Sequence, residues 1–290
     1  MTEIEFENRD GVGLITFARP DTLNVFSPGM MAGLGDLYRH CDADESVRVV
    51  VVTGRGTAFC AGADLSGGEV FAAHGELDFS SCPLSMQAWE LRKPVIAACN
   101  GHAIGVGLGI AVQCDMRIVA RGAKYGFLQN RRGVVADFGV EWLLPRLIGF
   151  ERAFEMLVRG SRIDGAEAAA WRLAGRAVEA REVLPLALEI ADDMVRNCSP
   201  LVMGMHKRLL WRALETGRDD FVALETRALH HSMRQPDARE GGMAYVEKRA
   251  PRWDDRYAAR WPDFLSVRLW VRLWVRIHPD ISPLTAPRRR

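Results

Sequence analysis

Residues 101–115 read GHAIGVGLGIAVQCD, with glycines at positions 101, 105, 107 and 109 that run directly into an apolar segment. Glycine at this density indicates a backbone that another group approaches closely, because no Cβ atom stands in the way. Three kinds of group would make that approach: a nucleotide phosphate, the oxyanion of a reacting carbonyl, or a neighbouring helix.

The nucleotide interpretation fails on spacing. A G-x-G-x-x-G fingerprint that begins at Gly105 needs a glycine at position 110, where the chain has Ile110. The acid that contacts a ribose should follow about 20 residues later, and Asp115 comes too early. The chain also lacks a G-x-x-x-x-G-K-[ST] loop, so a nicotinamide or P-loop enzyme is disfavoured.

A second loop rich in glycine and alanine, GRGTAFCAGADLSGG at 54–68, follows the apolar run VRVVVVTG at 47–54. Bare backbone N–H groups in such a loop stabilise a developing oxyanion, and one donor is worth about 2.7–4 kcal/mol in a transition state. Because an oxyanion hole takes two donors from separate places, the two loops together predict one. The alternative is that both loops only allow a helix to pack tightly on a sheet.

The order of elements predicts an α/β fold. Short β-branched runs alternate with helices in the first half, which is typical of strand–helix–strand units. The first helix is expected at 27–44, capped by Ser27 ahead of Pro28. Beyond about residue 145 apolar residues recur at helical spacing. Strands are expected at 11–20, 47–54, 94–99 and 116–120, and later helices at 150–160, 166–173, 183–197, 200–214 and 221–233.

Composition limits the class of protein. The chain has 290 residues and a formal net charge of +1, which disfavours a nucleic-acid or membrane-surface partner. The acidic start MTEIEFENRD has no apolar core of a signal peptide, and no apolar run is long enough for a membrane span. The six cysteines show no C-x-x-C pairing. We therefore expect a cytoplasmic protein with reduced cysteines and no metal site.

Two long motifs resemble the crotonase superfamily, which contains the enoyl-CoA hydratases and isomerases. They are GTAFCAGADL at 56–65 and RKPVIAACNGHAIGVG at 92–107, the latter followed by CDMRI. The resemblance extends in order over about residues 3–263, and it also includes RPDTLNVFS at 19–27, LPRLIG at 144–149 and EGGMAYVEKRAPRW at 240–253.

The resemblance implies a spiral of ββα units over residues 1–199, followed by a C-terminal helical region over 200–263 that forms trimers or hexamers. It also implies an acyl-CoA thioester substrate, with coenzyme A as part of the substrate and no separate cofactor. Residues 264–290, which include VRLWVRLWVR and end in TAPRRR, have no counterpart in the family. We expect an unpacked tail there; a partner-binding or lipid-surface helix is the alternative.

The family's site residues carry over by position. The two backbone donors to the thioester oxygen fall on Ala63 and Val106. Coenzyme A contacts fall on the loop of Ala61, Asp64, Leu65 and Ser66. Lys248 and Arg249 are further candidates, and the alternative for both is solvated surface charge.

The chain departs from a hydratase at two positions. The glutamates that activate and deliver water in the family are replaced here by Gly109 and Gln129. Neither residue exchanges a proton near neutral pH, although Gln129 can hydrogen-bond a substrate. Isomerase-type proton transfer is therefore favoured over hydration. The alternative is a non-catalytic protein that binds acyl-CoA with the same fold.

Asp137 is the candidate catalytic acid. Dienoyl-CoA isomerases and 4-chlorobenzoyl-CoA dehalogenase of this superfamily carry a working aspartate at this position. The dehalogenase also needs a tryptophan where this chain has Gln129, which favours the isomerase role. The alternative is that Asp137 only caps the following helix. We expect Glu141 at the surface and His102 in a packing role, while the acids and His74 within 67–81 are open candidates for facing substrate.

Overall fold

The computed structural model describes residues 2–64, 81–254 and 258–266. The predicted contacts Leu65 and Ser66, the segment 67–80 and the tail from residue 267 lie outside these residues. In the described part of the chain, ten strands form two sheets. The strands are β1 (Ile4–Arg9), β2 (Val12–Phe17), β3 (Val49–Gly54), β4 (Ala58–Cys60), β5 (Val95–Cys99), β6 (His102–Ile104), β7 (Met116–Ala120), β8 (Lys124–Gly126), β9 (Arg162–Asp164) and β10 (Arg176–Val178).

Nine α-helices accompany them in the same described residues, and the longest four lie in the C-terminal half or next to the first hairpin. They are α1 (Pro28–Ala43), α2 (Val106–Gln113), α3 (Val140–Ile148), α4 (Phe150–Leu157), α5 (Gly165–Ala170), α6 (Ala180–Asn197), α7 (Pro200–Ala213), α8 (Arg218–Met233) and α9 (Pro236–Glu247).

The chain winds between the two sheets. The larger sheet has the order β1-β2-β3-β5-β7-β10 and the smaller one β4-β6-β8-β9. Each of the pairs β3/β4, β5/β6 and β7/β8 gives its first strand to the larger sheet and its second to the smaller. Helix α2 follows the second pair and α3 the third. This arrangement confirms the predicted α/β spiral of ββα units.

The sequence explains the core of the larger sheet. Strand β3 is VVVVTG and is buried along its whole length, as expected for a parallel strand covered on both faces. Helix α6 packs across β3, β5 and β7 on one side. At the start of α1, the Ser27 hydroxyl accepts the Met30 N–H at 3.1 Å, so the predicted cap is confirmed.

The C-terminal helices are tied into the rest of the molecule. Phe264 and Leu265 pack with α7 and α8, and Leu265 is fully buried. The first residues of the predicted unpacked tail are therefore packed, and such a tail starts no earlier than residue 267. None of the six cysteines forms a disulfide bond in the structure. Among the described helices, none combines the length and the apolar character needed to cross a membrane.

Candidate active site

Three short parallel strands of the smaller sheet end at one edge. Strand β6 pairs in parallel with both β4 and β8. The loops that follow Cys60, Ile104 and Gly126 therefore meet at the carboxyl ends of these strands, where α/β proteins commonly form their binding crevices. Ala63, Val106 and Gln129 lie on those three loops, so the fold gathers three residues that are far apart in the sequence.

The two glycine-rich loops touch each other directly. A Cβ atom at Gly107 would lie 2.3 Å from the carbonyl oxygen of Cys60, so only glycine lets the start of α2 lie against the end of β4. A Cβ atom at Gly62 would lie 3.4 Å from the carbonyl oxygen of Ile104. The tight-packing interpretation is thus correct for Gly107, and this packing brings the two loops together.

Two backbone N–H groups on these loops have no acceptor within the described residues. The parallel bridge between Phe26 and Ala63 uses the Gly62 carbonyl and the Asp64 N–H, so the Ala63 N–H points away from Phe26. Val106 is the first residue of α2, and its N–H precedes the first intrahelical hydrogen bond, from Gly109 to Gly105. Among the described residues neither N–H group thus has an acceptor, and these are the two positions that the family resemblance assigns to the donors.

Gln129 joins the start of α2 to Asp137. A Cβ atom at Gly105 would lie 3.5 Å from Gln129 Nε2, and this amide donates to Asp137 Oδ1 over 3.4 Å. The other amide atom, Gln129 Oε1, is buried without a partner in the described residues. A buried acceptor left without a donor is costly, so this atom marks a place where a bound molecule would be stabilised.

The Asp137 carboxyl has a pKa above the ordinary aspartate value. Burial raises its pKa to about 6; its own backbone N–H and Gln129 oppose this rise, and the nearby charge of Glu141 adds to it. A pKa close to the working pH is the property that suits a general acid or base.

The interpretation of Asp137 as a helix cap is wrong. Helix α3 begins after Gly139, which occupies the cap position in a left-handed conformation, and no side chain caps the helix there. Asp137 contributes only its carbonyl oxygen, to the Val140 N–H at 3.3 Å. Glu141 is exposed, as predicted, and accepts the Ala136 N–H at 3.1 Å. The carboxyl group of Asp137 therefore takes no part in capping α3.

Sequence reasoning missed Phe138. It is fully buried at a positive φ of 60°, which bulky residues rarely adopt. Its N–H donates to the Ser81 carbonyl at 2.7 Å, and its own carbonyl accepts Gln113 Nε2 at 3.0 Å. A Cβ atom at Gly109 would lie 3.1 Å from the Phe138 Cβ. The signal in the sequence was the glycine at position 109. A buried glycine in a helix leaves a space that another side chain has to fill, and Phe138 fills it.

The other residues predicted to contact coenzyme A have different surroundings in the structure. The Ala61 N–H donates to the Leu23 carbonyl at 3.1 Å, and Asp64 pairs with Arg19 at 3.3 Å. Lys248 ends α9 as an exposed residue. Arg249 is held at 2.6 Å by both Glu240 and Glu247, so its charge is already paired.

His102 is exposed rather than packed, which corrects its predicted role. Its Nδ1 accepts the Lys124 N–H at 2.9 Å. The imidazole therefore ties β6 to β8 instead of filling the core.

Two cavities adjoin the segment that carries Asp137. One of about 550 Å³ begins at Gln129 and runs past Val134 towards Phe150 and Phe154 of α4. The other, of about 440 Å³, lies beside Gly139 and is lined by three tryptophans. Both volumes are in the range of small-molecule pockets. Among the described residues, no three His, Cys, Asp or Glu side chains are grouped to hold a metal ion.

Comparisons with known proteins identify the family of this chain. The family model "Enoyl-CoA hydratase/isomerase" matches residues 7–256. The enoyl-CoA hydratase ACTT3 of Alternaria alternata is 33% identical over 255 residues, 87% of this chain and 86% of the relative. The 1,2-epoxyphenylacetyl-CoA isomerase of Escherichia coli is 30% identical over 84% of this chain and 95% of its own length.

A solved structure has the same fold. The crystal structure of a probable enoyl-CoA hydratase/isomerase from Mycobacterium abscessus superposes with a TM-score of 0.84 at 41% identity, covering 88% of this chain and 99% of that one. The resemblance that the two glycine-rich motifs indicated is thus confirmed over most of the chain. This protein belongs to the enoyl-CoA hydratase/isomerase family.

Proposed function

We propose that this protein is an acyl-CoA double-bond isomerase in which Asp137 carries the proton. The thioester oxygen binds between the Ala63 and Val106 N–H groups, and the substrate lies against Gln129. The observation that supports this proposal most strongly is the partly buried Asp137 carboxyl, with its pKa of about 6, joined through Gln129 to the start of α2.

The proton transfer follows from these groups. The Asp137 carboxylate takes a proton from the α-carbon of a 3-enoyl thioester, and the C–H electron pair moves into the thioester to give an enolate oxygen. The two N–H donors stabilise that oxygen where the charge develops. Asp137 then returns the proton to the γ-carbon, the double bond settles between the α- and β-carbons, and the carboxylate is restored.

Two further points support isomerisation. Gly109 and Gln129 supply no carboxyl group for activating water. The Escherichia coli relative is itself named as an isomerase of an acyl-CoA. The acyl chain is proposed to lie in the mostly apolar cavity beside Gln129.

The remaining features of the proposal come from the sequence. Ala61, Asp64, Leu65, Ser66 and Lys248 are proposed to contact coenzyme A, which is part of the substrate, so that no separate cofactor is needed. The protein is proposed to act in the cytoplasm as a homotrimer or a hexamer assembled through residues 200–263. Relatives carry names that include mitochondrial and peroxisomal enzymes, so fractionation of the source cells tests the location.

A substrate panel with matched variants tests the isomerase. Wild-type protein, Asp137→Asn and the exposed control Glu151→Gln are given 2-enoyl, 3-enoyl and dienoyl thioesters of coenzyme A. We expect Asp137→Asn to lower kcat about 10²–10⁴-fold, the usual contribution of a positioned acid or base, while Glu151→Gln keeps the wild-type kcat. Equal turnover by wild type and Asp137→Asn would remove Asp137 from the mechanism.

A second candidate function is acyl-CoA binding without catalysis. The observation in its favour is that both glutamate positions are occupied by residues that do not ionise, Gly109 and Gln129. Calorimetry separates the two functions. Tight binding of acyl-CoA together with no conversion of any thioester on the panel would establish the binding protein and reject the isomerase.

A further inference from the structure

One face of α2 meets the segment that carries Asp137, and two glycines form that face. Gly105, Gly109 and Gln113 are spaced four residues apart and so lie on one side of the helix. Gln129 lies over Gly105 and Phe138 lies over Gly109. The Gln113 side chain closes the row by donating to the Phe138 carbonyl. Asp137 therefore has a polar neighbour on the Gly105 side and an apolar neighbour on the Gly109 side.

Phe138 fills the space beside Gly109 completely. A Cβ atom at position 109 would lie 3.1 Å from the Phe138 Cβ, 3.3 Å from Cγ and 3.4 Å from Cδ2. These separations leave no room for a longer side chain or for a water molecule between Gly109 and Phe138. The aromatic ring also offers no hydrogen bond that would hold water there.

The backbone around Phe138 holds it against its own conformational preference. A phenylalanine at a φ of 60° is a sparsely populated state that persists only where the surroundings enforce it. Two hydrogen bonds do so here, from the Phe138 N–H to Ser81 and from Gln113 to the Phe138 carbonyl. A glycine would adopt this conformation freely, so this bulky residue is kept at the cost of local strain.

We propose that Phe138 determines the outcome of the reaction by sealing the Gly109 face of α2 against water. This inference rests on the proposed isomerase function and names the residue that makes it an isomerase. Addition of water to a 2-enoyl thioester needs a water molecule held beside the β-carbon. With that space filled, the proton on Asp137 returns to the same substrate molecule.

The fraction of the substrate's own proton that is kept in the product measures how well Phe138 excludes solvent. A 3-enoyl-CoA is converted in D₂O by wild type, Phe138→Gly, Phe138→Ala and the control Phe138→Leu, and deuterium in the 2-enoyl product is counted by mass spectrometry. We expect wild type and Phe138→Leu to retain most of the original proton. Phe138→Gly and Phe138→Ala should incorporate at least twice as much deuterium per turnover, because solvent reaches Asp137 between the two steps.

A reciprocal pair of variants tests whether the space itself decides the reaction. Gly109→Glu alone should melt below wild type and form no measurable 3-hydroxyacyl-CoA, because Phe138 occupies the space that the new side chain needs. The double variant Gly109→Glu/Phe138→Gly should melt above Gly109→Glu and hydrate 2-enoyl-CoA at least ten times faster. Phe17→Leu, at a fully buried position of β2, controls for the general effect of an altered core.

The outcomes separate this inference from the function on which it rests. Wild type that isomerises the 3-enoyl thioester, with equal deuterium incorporation in Phe138→Gly and Phe138→Ala, overturns the role of Phe138 and leaves the isomerase standing. Equal hydration by Gly109→Glu and the double variant overturns it too. Wild type that converts no thioester overturns the isomerase, and the role of Phe138 falls with it.

Discussion

The two ends of helix α2 differ in how their polar groups are satisfied. Just beyond its C-terminus, Asp115 accepts the Val95 N–H at 2.7 Å, Trp211 Nε1 at 2.8 Å and Lys207 Nζ at 2.8 Å. At its N-terminus the Val106 N–H has no acceptor, and the Gln129 Oε1 has no donor, within the described residues. Buried polar groups are normally paired. The C-terminal, satisfied end of α2 is thus fixed to the core by paired groups, whereas the N-terminal, unsatisfied end keeps polar groups that pair with nothing among the described residues.

Breaking the satisfied end should have the largest effect on stability. Lys207 is buried and gives its remaining hydrogen bonds to the carbonyls of Ala88 at 2.7 Å and Lys93 at 2.9 Å. Burial lowers its pKa, and the charge of Asp115 opposes that change. Lys207→Met leaves Asp115 without its counter-charge and should cost about 3–5 kcal/mol in the free energy of unfolding. Urea denaturation measures this loss.

The exposed Lys124 provides the control for Lys207. Lys124→Met should move the urea midpoint very little. If Lys207→Met unfolds at the wild-type midpoint, the ion pair does not join α7 to the core in the way described here.

Adding one methyl group at the unsatisfied end should have a smaller effect on stability and a clear one on function. Gly107→Ala places a Cβ atom against the Cys60 carbonyl, and overpacking of this kind costs about 1–3 kcal/mol. It also moves the Val106 N–H away from Ala63, so kcat should fall. Gly122→Ala is the matched control, since nothing lies within 4 Å of its Cβ position. Full activity in Gly107→Ala would separate the Val106 donor from catalysis.

The smallest effect concerns the pH dependence of stability. Folding raises the pKa of Asp137 from 3.8 to about 6, so the folded state binds more protons than the unfolded state between these values. The carboxyl therefore favours folding below pH 4 and loses that contribution as the pH rises through 6. Since a pKa unit corresponds to about 1.4 kcal/mol and Asp137 is partly exposed, we expect Asp137→Asn to be about 1–2 kcal/mol more stable than wild type at pH 8.

The difference between these two proteins should shrink as the pH falls below the unfolded-state pKa of 3.8, because wild-type Asp137 is then protonated in both states. Thermal unfolding of wild type and Asp137→Asn from about pH 3 to about pH 8, a range that spans both pKa values, measures it, with the exposed Glu151→Gln as the control. A stability gain that is the same at every pH would show that the carboxyl is not strained by its burial.

The strands and helices with long, repetitive apolar patterns were predicted well from the sequence. Strand β7 was predicted at its observed residues, and β3 and β5 within two residues of theirs. Helices α6, α7 and α8 were recognised because fourteen or more residues repeat an apolar spacing. The strands that position the site were not predicted. Strands β4, β6 and β8 have three residues each, which is too short to show the alternation of apolar and polar residues that identifies a strand.

The local geometry around Asp137 was harder to predict for a different reason. A helix-capping preference favours aspartate, but two successive left-handed residues, Phe138 and Gly139, delay the start of α3. Phenylalanine has no intrinsic preference for this conformation, so tertiary contacts with Ser81, Gly109 and Gln113 must impose it. Such contacts between distant segments leave little trace in the local sequence.

The hydrogen bonds of Lys207 also bear on how the polypeptide can be divided. Lys207 belongs to the region after residue 200. Its side chain donates hydrogen bonds to the carbonyls of Ala88 and Lys93, which lie on the segment that leads into β5. A truncation before α7 would therefore strip the support from the strand that precedes the α2 loop. We therefore expect the helices after residue 200 to unfold together with the sheets, and not as a separate unit.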